Sequence, residues 1–128
     1  MKILLDTHIF LWMMDEPERL SSNAAALLRD FDNELFLSVA SVWEIQIKLN
    51  MRKLTLSQPL PVLIQSQREA NQIQILPIEL RHVYALANLP PHHRDPFDRL
   101  LIAQAQSETM PVLTADGVFM AYNISLLN

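Results

Sequence analysis

Short unbroken apolar runs alternate along this chain with longer stretches in which apolar residues recur at helical spacing. Residues 2–5, 34–37, 73–76, 112–114 and 124–127 predict five strands. Between them the pattern predicts a helix carrying the apolar residues from Ile9 to Met14, and one introduced by Pro17 and Ser21-Ser22 that runs through Phe31. A third is capped by Ser38 or Ser41 and runs to about Met51, and a fourth opens at Pro59-Leu60-Pro61 and runs to about Asn71. A fifth covers residues 79–86. The last has Asp95 as its N-cap and Pro96 in the first helical position, and continues to about Glu108. Strands alternating with helices give an α/β architecture with a mainly parallel sheet.

Two of these strands end on acid. Ile3-Leu4-Leu5 gives way to Asp6, and Val112-Leu113 to Asp116 within three positions. In an open parallel sheet, functional groups gather at the carboxyl edge. If the two strands lie side by side, their carboxylates meet and repel by about 4 kcal/mol at 4 Å and an effective dielectric of 20, unless a cation or a proton lies between them. The pattern therefore points to a metal site.

Composition narrows the classes. With 128 residues, 50% apolar and 19% charged, the chain suits a single folded domain over 1–128 and excludes disorder or a coiled coil. There is no cysteine, so no disulfide framework or thiolate zinc site is available. The longest apolar run is too short to span a bilayer, and the expectation is a soluble, cytoplasmic protein. A net charge of -4 argues against bulk electrostatic binding of nucleic acid, but acids clustered around a cation leave Lys48, Arg52 and Lys53 free to meet phosphates. The single glycine, Gly117, excludes glycine-rich nucleotide loops.

Each acid also has an ordinary explanation. Asp6 can cap the helix that comes after it, and Asp116-Gly117 is a common turn pair. Glu44 stands three residues after Ser41, as in a capping box, and four before Lys48, as in a helical ion pair. It also lies among Val42, Trp43, Ile45 and Ile47, where an inward carboxylate needs a partner. Asp95 and Asp98 fit the N-cap and first turn of the last helix. Singly none is diagnostic, but together they reach one edge of the sheet, and an all-carboxylate set suits magnesium or manganese better than zinc.

Four stretches in order, Leu4-Leu5-Asp6-Thr7-His8, Ser41-Val42-Trp43-Glu44-Ile45, the run from His93 to Ala105, and Val112-Leu113-Thr114-Ala115-Asp116, resemble the PIN-domain ribonucleases, specifically VapC-type toxins of toxin-antitoxin pairs. The resemblance covers nearly the whole chain. It implies a three-layer α/β/α sandwich around the sheet and a Mg2+- or Mn2+-dependent endoribonuclease, usually a homodimer, held inactive by a small antitoxin. Asp6, Glu44 and Asp116 match the family's first, second and fourth acids. Asp98 is assigned as the third, with Asp95 as the alternative ligand or the cap. Thr7 and Thr114 match positions that often carry a hydroxyl near the metal.

Arg99 reads as a phosphate ligand or an ion-pair partner. His92, His93 and Arg94 read as a solvated loop at the mouth of the site, and the residues from Phe10 to Met14 as core or dimer contact. The reading from a different class is a noncatalytic α/β interaction module whose acids are leftover caps.

Overall fold

Ile3, Leu4 and Leu5 are all completely buried, because their strand lies in the middle of the sheet with a layer of helices on each face. The computed structural model describes residues 1–128. Its elements are β1 (Lys2–Leu5), α1 (Thr7–Asp15), α2 (Ser22–Arg29), β2 (Glu34–Ser38), α3 (Val39–Asn50), α4 (Leu60–Ala70), β3 (Gln74–Leu76), α5 (Leu80–Ala85), α6 (Pro96–Glu108), β4 (Val112–Leu113) and β5 (Leu126–Leu127). Short 3₁₀ turns occupy Pro17–Arg19, Leu86–Asn88 and Gly117–Ala121. The sheet order is β3-β2-β1-β4-β5, and every pairing is parallel.

Side chains alternate across β1, and this alternation builds two cores. Leu4 packs with Leu101, Ile102, Ala105 and Phe119 on one face. Ile3 and Leu5 pack with Ile9, Phe10, Leu37 and Ile45 on the other. Each such chain contributes about 1.5–3 kcal/mol by leaving water, so β1 anchors both layers of the α/β/α sandwich. No helix is long and apolar enough to cross a membrane.

The chain leaves β1 toward β2 and β3 on one side, then returns to β4 and β5 on the other. That reversal opens a crevice at the carboxyl edge between β1 and β4. Leu5 pairs with Leu113, and the Asp6 amide donates to the Leu113 carbonyl at 3.0 Å, so the residues just beyond the two strands are held at the same level.

Several expected boundaries move for local reasons. α2 stops at Arg29, because the Asp30 carboxylate accepts from the Asp32 amide at 2.9 Å and turns the chain, leaving Phe31 exposed. Ser38 is the cap of α3, accepting from the Ala40 amide at 3.0 Å. Ser41 is buried inside that helix, so the Ser41–Glu44 capping box is overturned. β5 is confined to Leu126–Leu127, shorter than the apolar run that precedes the chain's end. Phe10 is core, while Leu11, Trp12, Met13 and Met14 pack half-buried against the same cluster.

Candidate metal centre

Asp6 and Asp116 are joined through one hydroxyl. Thr114 Oγ1 donates to Asp6 Oδ2 at 2.8 Å and accepts from the Asp116 amide at 3.0 Å, so the residue after β4 orients both acids. Asp6 occupies the N-cap position of α1, yet its carboxylate caps nothing. Burial raises its pKa above the ordinary value. The Thr114 hydrogen bond and the His8 charge oppose that rise, and the Asp116 charge adds to it. Asp116 does act as a cap, its Oδ1 accepting from the Val118 amide at 3.0 Å.

Glu44 is brought in by the periodicity of α3. Ala40, Ser41, Glu44 and Ile45 are its buried residues and form one face of the helix. Thr7 Oγ1 donates to Ser41 Oγ at 2.8 Å and ties α1 to that face. One Glu44 oxygen meets Lys48 Nζ at 3.1 Å, the ion pair its spacing predicts, while Oε1 is buried with no hydrogen-bond partner. An orphaned buried carboxylate oxygen is costly, and a cation beside it removes the cost.

The third acid comes from α6. Asp95 Oδ1 accepts from the Phe97 and Asp98 amides at 2.9 and 3.0 Å, the expected cap. Asp98, one turn in, is pushed up to about 7, first by burial and then by the charges of Asp95, Asp6, Glu44 and Asp116. Asp98 therefore feels each of the other three predicted acids and Asp95, and Asp6 feels Asp116. His93 Nε2 lies 3.6 Å from Asp98 Oδ2. Arg99 takes neither expected role: it donates to the carbonyls of Leu89 and Pro90 at 3.2 and 2.8 Å and to the Tyr122 hydroxyl at 3.2 Å, pinning the loop before α6. His92 and Arg94 are exposed as expected, but His93 is not, because it docks on Tyr122.

A different set of residues forms a group of acid and imidazole atoms all within 4.8 Å of one another: Glu79, His82 and Glu108. The spacing in sequence does not flag it, and its chemistry is closed. The His82 Nδ1 accepts from the Glu79 amide at 3.0 Å, so the proton of a neutral ring stays on Nε2 and no lone pair is free there. Arg81 pairs with both Glu79 and Glu108, so the carboxylates already have their cation. The four acids at the sheet edge are spread more widely than this group, no three of them offering oxygens within 4.8 Å of one another, and Lys48, His93 and the charge of His8 stand against them. Their all-oxygen donor set and the orphaned Glu44 oxygen fit a divalent ion of the magnesium or manganese type.

Solved structures share this architecture. VapBC2 from Rickettsia felis, bound to a promoter DNA fragment, matches with a TM-score of 0.77 and 14% identity over 100% of this chain and 98% of the other. FitAcB from Neisseria gonorrhoeae matches with 0.70 and 21% over 98% and 96%. VapBC-5 from Mycobacterium tuberculosis, a member of the VapBC family of toxin-antitoxin systems, matches with 0.61 and 19% over 98% and 95%. No curated protein sequence matches the chain. The family model described as PIN domain matches residues 3–124, nearly the whole length over which the strands, the crevice and the acids are laid out. The chain belongs to the PIN-domain family.

Proposed function

We propose that this protein is a metal-dependent endoribonuclease acting as the toxin of a toxin-antitoxin pair, with Asp6, Glu44, Asp98 and Asp116 as its metal-holding acids. The observation that carries the reading is that Asp98 feels the charges of the other three carboxylates while Glu44 keeps a buried, unpaired oxygen. Mg2+ or Mn2+ bound there supplies charge stabilisation at a scissile phosphate and activation of water. Thr114 fixes the facing of Asp6, and α3 holds Glu44 by its buried face. Asp95 stays with the helix cap. Lys48, at the exposed side of Glu44, supplies positive charge where a phosphate backbone approaches.

A cognate antitoxin is the proposed partner, supported by the toxin-antitoxin complexes among the structural neighbours. A homodimer is proposed as the active form. The test is cleavage of structured RNA with and without Mn2+, using wild type and Asp6→Asn. We expect cleavage that needs the ion and disappears in the folded variant. Undiminished cleavage by a correctly folded Asp6→Asn protein would refute the site. Light scattering that finds a strict monomer across micromolar concentrations removes the dimer.

A further inference from the structure

His93 holds a position that its place in a surface loop does not foretell. Its Nδ1 lies 2.6 Å from the Tyr122 hydroxyl. That oxygen already accepts from the His93 amide at 3.3 Å and from Arg99 Nη1 at 3.2 Å. Both lone pairs of the phenol are therefore taken, and its single O–H is left to donate. Nδ1 is the acceptor facing it. A proton on Nδ1 would bring a third donor to an oxygen with no lone pair left and strand the phenolic hydrogen. The ring is thus fixed as the tautomer with its proton on Nε2. That Nε2–H is buried without a hydrogen-bond partner and has the Asp98 carboxylate 3.6 Å away. A shift of a few tenths of an ångström closes the bond, and contacts of this kind tighten when a site fills.

We infer that His93 is a positioning residue, locked by Tyr122 and Arg99 in the Nε2–H tautomer so that it fixes which oxygen of Asp98 turns into the acidic site. The inference rests on the reading of Asp98 as a metal-holding acid. The device is a chain from Arg99 through Tyr122 and His93 to Asp98, and it explains why Arg99 spends its guanidinium on the loop rather than on an acid. A carboxylate with one oxygen held from behind presents the other in a fixed direction. Such outer partners change metal affinity by about 10–100-fold when removed.

Two measurements on the full chain test this. Nitrogen NMR of labelled histidine in chelator should show His93 with its proton on Nε2, and Tyr122→Phe should let the proton redistribute to Nδ1. Manganese affinity, read by electron paramagnetic resonance, should weaken by about tenfold or more in His93→Ala. It should recover to within about threefold of wild type in His93→Gln, whose amide N–H also donates. If His93→Ala does not fold, Tyr122→Phe carries the affinity test, with weakening expected. A wild-type ring protonated on Nδ1, or manganese bound as tightly by His93→Ala as by wild type, overturns the positioning role and leaves the four-acid reading standing. A wild-type protein that binds no manganese overturns both.

Discussion

Two groups of carboxylates in this molecule have similar ingredients and opposite character. Glu79 and Glu108, between α5 and α6, are bridged by Arg81 and face a histidine whose Nδ1 accepts from the Glu79 amide and whose buried Nε2 lies 3.8 Å from Glu108. At the carboxyl edge of the sheet, Asp6, Glu44 and Asp116 all raise the cost of ionising Asp98, with one lysine and two histidines set against the four acids. The first group is an ion-pair network holding two helices together, its carboxylates already matched by Arg81. The second is unfinished, and it lies at the crevice where the sheet reverses. On the proposed function, uncompensated charge marks the metal site and mere proximity of acids does not.

The largest expected effect separates the two groups by activity. Asp6→Asn should reduce metal-dependent RNA cleavage to background, whereas Glu108→Gln should leave it within about twofold of wild type, as expected for a substitution far from the reacting atoms. Equal losses in both variants would erase the distinction. Next in size is the response to metal. At a hundredfold excess over its dissociation constant, Mn2+ should stabilise the wild type by about 3 kcal/mol. Thermal melts should show that shift in wild type and Glu108→Gln and lose it in Asp6→Asn.

A third comparison uses pH. In the native chain Asp98 is raised from 3.8 to about 7, so between those values the folded state holds more proton than the unfolded one. Its contribution to stability is complete below the lower value and disappears as pH rises through the upper one. In chelator, stability should therefore decline between about pH 4 and pH 7 relative to Asp98→Asn. The difference should reach about 2 kcal/mol once partial solvent screening of this acid is allowed for. Asp6, raised in the same direction by burial, adds to the decline and remains in the Asp98 variant. Denaturant titrations at several pH values check this, and parallel curves for the two proteins would show that the acids do not load the native state.

Much of this contrast was legible in the chain itself, for definite reasons. β1 and β4 announce themselves because strands buried on both faces must be apolar throughout, and the acids after them mark where burial ends. Asp95-Pro96 reads as a cap because both residue types have local backbone reasons to be there, and the Glu44–Lys48 pair comes from helical spacing. The features that stayed hidden depend on partners distant in sequence. Ser41 reads as a cap until Thr7 takes its hydroxyl, and Arg99 reads as an ion-pair residue until the loop carbonyls surround it. The Tyr122–His93 contact spans 29 residues and obeys no period. On the positioning role inferred for His93, which histidine nitrogen bears the proton follows from that contact together with the Arg99 and amide bonds to the same hydroxyl.

The smallest effect concerns the boundary of the unfinished group, where Asp95 and Asp98 stand three residues apart. The Asp95 carboxylate is occupied by two backbone amides, while Asp98 makes no cap. Asp95→Ser keeps a capping oxygen and should retain stability to within a few tenths of a kcal/mol, whereas Asp95→Ala should cost about 1 kcal/mol. Both remove a negative charge that helps hold Asp98 above its ordinary range, so both should move the pH decline of the metal-free protein toward lower pH. Cleavage at saturating metal should survive in Asp95→Ser and vanish in Asp98→Ser. The reverse pattern would exchange the two roles, making Asp95 the metal-holding acid and Asp98 a bystander raised only by its neighbours.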